Sequence, residues 1–90
     1  MELKWTSKAL SDLARLYDFL VLASKPAAAR TVQSLTQAPV TLLTHPRMGE
    51  QLFQFEPREV RRIFAGEYEI RYELTGQIIY VLGVWGAMEQ

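Results

Sequence analysis

The sequence has no cysteine among its 90 residues. Disulfides, thiolate nucleophiles and Cys-ligated zinc are therefore excluded, and so small a domain must depend on packing or on a partner that completes its core. There is one histidine, His45. It sits between Thr44 and Pro46 in a turn, with no second His or Cys to share a metal and no Ser-His-Asp spacing, so it reads as structural or solvated. Charge of one sign is also missing: 10 Lys plus Arg balance 10 Asp plus Glu. Proteins that hold nucleic acid by its phosphates usually carry a basic surplus, so direct sequence-specific nucleic-acid binding is not expected. No apolar run approaches the ~20 residues needed to cross a bilayer. The start, Met1 to Trp5, turns at once into a polar helix signal and does not read as a signal peptide. These absences describe a cytoplasmic protein with no membrane contact, metal or cofactor. What is present is 49% hydrophobic residues, enough for one core and hence a single domain over 1–90.

The order of elements follows from spacing. Glu2 to Trp5 suits a short strand with Leu3 and Trp5 on one face. Thr6 and Ser7 supply N-cap chemistry. Leu10, Leu13, Tyr17 and Leu20 then recur at helical intervals, with Ser11, Asp12, Arg15 and Asp18 mainly toward the other side, which predicts a helix over 7–23. Ser24-Lys25-Pro26 breaks it and opens a second helix, with proline where a missing N–H costs nothing. Ala28, Val32, Leu35, Pro39, Leu42 and Leu43 continue one register across Pro39, which predicts a kink near 35–39. The short connection makes the helices antiparallel neighbours. Residues 44–49 read as a turn, and 50–58 are ambiguous, with Pro57 barring a central strand position.

After Pro57 the period becomes two. Val60 to Ala65 is one strand. Tyr68, Ile70, Tyr72 and Leu74 alternate with Glu69, Arg71 and Glu73 in the next. Gln77 to Trp85 is apolar almost throughout, which suggests a strand covered on both faces. Gly66 and Gly76 mark the turns of two hairpins. The whole reads β-α-α-β-β-β, an α+β fold with a helical hairpin on a twisted, mainly antiparallel sheet.

The basic residues Arg58, Arg61, Arg62 and Arg71 fall in or beside this sheet. Arg61 and Arg62 point to opposite faces, so one of them meets an otherwise apolar surface and needs a carboxylate, a carbonyl or a partner molecule. Cross-strand pairing with Glu67, Glu69 or Glu73 is one reading, and a site for an anion or an acidic segment is the other. Trp85, at the end of the last strand, is a candidate contact residue. That strand is also a candidate open edge for pairing with another chain.

Trp5-Thr6-Ser7-Lys8-Ala9-Leu10-Ser11-Asp12-Leu13, Leu43-Thr44-His45-Pro46-Arg47-Met48-Gly49, Val60-Arg61-Arg62-Ile63-Phe64, Tyr68-Glu69-Ile70-Arg71-Tyr72 and Ile79-Tyr80-Val81-Leu82 follow in order along nearly the whole chain. Together they resemble the ParE branch of the RelE/ParE superfamily, toxins of bacterial toxin–antitoxin pairs. The resemblance implies a compact toxin fold and a cognate antitoxin that wraps it. For ParE-like members it also implies inhibition of DNA gyrase, whereas RelE-like members cut messenger RNA on the ribosome. Neutral charge and a sheet without histidine favour the gyrase reading and no catalytic residues. Target-contact candidates are then Arg61, Arg62, Arg71 and Trp85, and antitoxin-contact candidates are Tyr17 and Leu20 on the first helix and Leu42 on the second. The nuclease alternative would use Arg62 and Arg71 on phosphate, with Tyr68 or Tyr72 assisting. Relatives often end the last strand with Arg, then His and Arg in the tail. Here Gly83, Gly86 and Met88 stand at those places, and a third reading is a non-toxic variant that only binds antitoxin.

Overall fold

The computed structural model describes residues 1–86; Met88 and the rest of the tail lie outside the described residues. The chain forms β1 (Glu2–Trp5), α1 (Ser7–Leu20), α2 (Lys25–Gln37), β2 (Glu50–Gln51), β3 (Glu59–Ala65), β4 (Tyr68–Thr75) and β5 (Ile78–Gly86). The sheet order is β1-β5-β4-β3-β2. The α+β architecture matches the sequence reading, with one added two-residue strand in the ambiguous 50–58 stretch.

Local chemistry sets the helix limits. The Thr6 hydroxyl accepts the N–H of Ala9 at 3.2 Å, and the Ser24 hydroxyl accepts that of Ala27 at 3.3 Å, so both helices are capped by side chains. α1 stops at Leu20, short of the expected Ala23, and residues 21–23 form turns. α2 stops at Gln37, and Ala38–Leu43 winds as a 3₁₀ segment. Pro39 has no N–H to give to residue 35, so the expected break falls there as a change of winding.

Two expectations fail in instructive ways. Leu10, placed in the apolar stripe, is 54% exposed, while Asp12, placed on the polar side, is buried. The buried face of α1 is Ala9, Asp12 and Leu13. β5 is also not an open edge. β1 pairs with it in parallel, Glu2 opposite Ile78 through Trp5 opposite Val81. Beyond Val81 the start of α1 takes over: the backbone N–H and hydroxyl of Thr6 donate to the Val81 carbonyl at 3.1 and 2.9 Å, and Asp12 accepts the N–H of Val84 at 3.0 Å.

The hairpin loops Gly66-Glu67 and Gly76-Gln77 have glycine φ of 61° and 59°. That is the first position of a two-residue hairpin turn, which only glycine adopts without strain. Between β4 and β5 the register shifts at Arg71/Tyr72: Arg71 faces Gly83, yet Tyr72 faces Val81, so Leu82 is a bulge. An extra residue reverses the alternation. Ile79, Val81 and Val84 therefore point to the helices, while Gly83 and Trp85 turn to the opposite face. The core under the helices joins Ala9, Leu13, Leu35, Ile70, Val81 and Val84, with a second cluster of Leu42, Tyr72 and Ile79.

Candidate partner-binding face of the sheet

The face away from the helices collects charge. Cross-strand partners share a face, so Arg62 opposite Arg71, and Glu69 opposite Trp85, stand together there with Gly83. Glu69 lies between the two arginines and is 2% exposed. Its carboxylate takes the Nε of Arg71 at 2.6 Å and lies 3.7 Å from Nη1 of Arg62. Arg62 also gives Nε to Glu50 at 2.9 Å and lies over the Phe64 ring. Its guanidinium is held more basic than usual, chiefly by that Glu50 hydrogen bond.

The row continues onto Trp85. Arg71 lies 4.6 Å from the centre of the indole, and Lys8, at the start of α1, lies 4.3 Å from it. Both distances are within cation–π range. Lys8 is tied to Asp12 at 2.8 Å, and Asp12 also accepts from Arg15 at 2.8 Å. Burial pushes the Asp12 carboxyl up, but the hydrogen bonds from Lys8, Val84 N–H and Arg15 outweigh it and hold the group below its ordinary value.

The structure thus brings Arg62, Arg71 and Trp85 together and separates Arg61 from them. Arg61 points to the helix-side face, where its side chain is 15% exposed. It donates Nη1 to the Gly49 carbonyl at 2.7 Å and Nε to Glu59 at 2.9 Å. It fastens the 46–49 turn, so the target-contact expectation for this residue gives way to a structural role. Tyr72 fastens the same turn from within the core: its hydroxyl accepts the Gly49 N–H at 3.0 Å and donates to the Pro46 carbonyl at 2.8 Å. A Cβ on Gly49 would fall 2.6 Å from the Arg62 carbonyl and 2.7 Å from that hydroxyl, so only glycine fits. Burial, above all, raises the Tyr72 phenol, so it stays protonated.

Tyr68 and Tyr72 both face the helices, across the sheet from Arg62 and Arg71. The four residues named for a nuclease therefore share no site. Leu42 is fully buried, so the antitoxin-contact expectation for it fails: it offers no surface. Tyr17 and Leu20 are half-buried on α1. The apolar surface near them comes from Phe19, 70% exposed, and Leu22, 84% exposed. Sequence reasoning missed Lys8 and Asp12 as members of the sheet site, and offered Glu69 only as one of three possible ion-pair partners for the arginines. The i, i+4 spacing of Lys8 and Asp12 and the i, i+2 spacing of Glu69 and Arg71 were the available signals.

Two helices thus lie on one side of the sheet, a parallel N-terminal strand closes one edge, and the outer face carries the cross-strand arginine pair. The family model described as ParE toxin of type II toxin-antitoxin system, parDE, matches residues 3–90, and the chain belongs to this family. A solved structure described as the chromosomal ParDE TA system from P. aeruginosa superposes with a TM-score of 0.80 at 27% identity, covering 96% of this chain and 95% of that one. No curated protein matches the chain.

Proposed function

We propose that this ParE-family toxin acts by binding DNA gyrase with the outer face of its sheet and is neutralised by a cognate antitoxin. One observation carries the choice of binding over cleavage. The tyrosines that would move protons, Tyr68 and Tyr72, lie through the sheet from Arg62 and Arg71, the two arginines available for a phosphate. General acid–base cleavage needs such groups within hydrogen-bond reach of one another or of a shared substrate. In this reading the antitoxin takes the end of α1, a choice supported by the exposure of Phe19 and Leu22 beside Tyr17 and Leu20. A shallow pocket of about 190 Å³, lined in part by Leu16, Phe19, Tyr68 and Val84, opens next to them. Apolar side chains so exposed on one helix end suit an amphipathic partner segment.

The test is a supercoiling assay with purified gyrase. Inhibition or a stabilised cleavage complex is expected, abolished by co-purified antitoxin. No effect at large toxin excess, together with cuts in translated messages by primer extension, would replace this reading with the nuclease. A second reading, a non-toxic antitoxin binder, is favoured by Gly83, which stands where relatives often carry arginine. It predicts no gyrase inhibition alongside full antitoxin binding.

A further inference from the structure

The bulged end of β5 builds a cluster around Trp85. Gly83 leaves the space: a Cβ there would fall 2.7 Å from Cη2 of the indole, 2.8 Å from Nζ of Lys8 and 3.0 Å from Oδ2 of Asp12. The ring therefore reaches over bare backbone, with Lys8 and Arg71 both lying over it. Each cation is held from behind by a buried carboxylate, Lys8 by Asp12 and Arg71 by Glu69. Arg71 gives only Nε to its anchor. A guanidinium has further donors, an ammonium has three, and an indole has one. Among the described residues no acceptor holds the Nη groups of Arg71 or the indole N–H of Trp85.

Donors gathered beside an aromatic ring call for an acceptor, and the charges say which. Lys8, Arg15 and Arg71 set against Asp12 and Glu69 leave one positive charge. The neighbouring Arg62 and Arg58 are each already hydrogen-bonded to a glutamate of their own, Glu50 and Glu73. A nucleic-acid strand brings one charge per phosphate and would meet these carboxylates along with the cations. A single carboxylate matches the surplus, and its methylenes match the ring.

We propose that the Lys8–Trp85–Arg71 cluster binds a carboxylate side chain from an acidic segment of a protein partner. This rests on the reading of the outer face as the target surface and supplies the chemistry of the contact. The bulge at Leu82 and the missing side chain at Gly83 are what leave room for the indole beside its cations.

The chain has two tryptophans, and Trp5 belongs to the helix-side core, so an NMR titration of the full chain has an internal control. Titration with a short Glu-rich peptide is expected to shift the indole N–H of Trp85 and leave that of Trp5 in place, while the Gln-rich counterpart shifts neither. Followed by the backbone amide shifts of residues 8, 71 and 83, Trp85→Phe and Gly83→Ala should each weaken the peptide about tenfold, the scale of losing a central aromatic contact. Trp85→Phe keeps the Arg71–Glu69 pair, so the comparison does not hinge on refolding. No shift at millimolar peptide overturns the proposal. So does an RNA oligonucleotide of equal charge that binds as tightly, which would make this a phosphate face. The same variants against intact gyrase separate the two claims. If wild type and both variants bind gyrase equally, the carboxylate contact fails and the gyrase reading stands. If the peptide shifts Trp85 and gyrase is not bound, the gyrase reading fails and the carboxylate contact stands.

Discussion

Arg61 and Arg62 are neighbours in the chain and live in different environments. On the helix-side face, Arg61 and Tyr72 spend their hydrogen bonds on backbone and thereby hold the 46–49 turn. On the outer face, Arg62 and Arg71 pair with Glu69, Arg62 also with Glu50, and Arg71 and Lys8 lie over the Trp85 ring. A polar group bonded to buried backbone cannot leave without unpairing that backbone. A charge paired with an exposed side chain, as Arg62 is with Glu50, can exchange its partner at small cost. The first arrangement makes structure, and the second keeps a surface available for exchange.

The largest expected effect lies under the helices. Leu35→Ala removes a side chain that is 1% exposed and should cost about 2–5 kcal/mol in urea unfolding, by lost transfer energy and a residual cavity. A smaller loss would show that α2 settles into the gap. Tyr72→Phe should cost about 1–3 kcal/mol, because the Gly49 N–H and the Pro46 carbonyl lose their buried partner; unchanged stability would mean that water reaches the turn.

Acid pH sharpens the contrast further. Asp12, Glu59 and Glu73 all have folded carboxyls below their ordinary values of 3.8, 4.5 and 4.5. A lowered folded value means that the native state resists protonation, so their stabilisation is present above those values and is lost as pH falls through the lowered ones. Urea midpoints should drop between pH 7 and about pH 3. Asp12→Asn should lower the midpoint at neutral pH and shrink the drop; an identical drop would remove Asp12 from the acid response. The smallest expected effect on stability belongs to the pair that opened the comparison. Arg61→Gln should cost about 1 kcal/mol or more through the Gly49 carbonyl. Arg62→Gln should leave the unfolding midpoint near wild type and, under the proposed function, show itself in gyrase binding. Equal effects of the two on both measurements would erase the distinction between the faces.

Much of the fold was legible because its signals are local. The helix starts after Thr6-Ser7 and Ser24-Lys25, the break at Pro39 and the glycine turns each depend on a few adjacent residues. The alternation along β4 depends only on one strand having two faces. The site was half legible. Arg71 and Arg62 could be placed on one face by counting, and Glu69 stood among three possible partners for them, but its depth of burial became visible only in the folded sheet. Asp12 read as polar surface because nothing near it in sequence reveals the bare N–H of Val84, 72 residues on, that it satisfies. Leu42 read as possible surface because a helical stripe does not say how deep it is buried.

Residue pattern alone set the order of the two helices and four longer strands, the hairpin loops, the neutral charge and the absence of thiol chemistry, since each depends on chain-local sterics or on composition. Tertiary structure decided that β1 lies parallel against β5, that Leu82 bulges and turns Gly83 and Trp85 toward the arginines, and that Asp12 faces inward. These depend on which backbone groups are left unpaired when distant segments meet, and that becomes defined only once the sheet has closed.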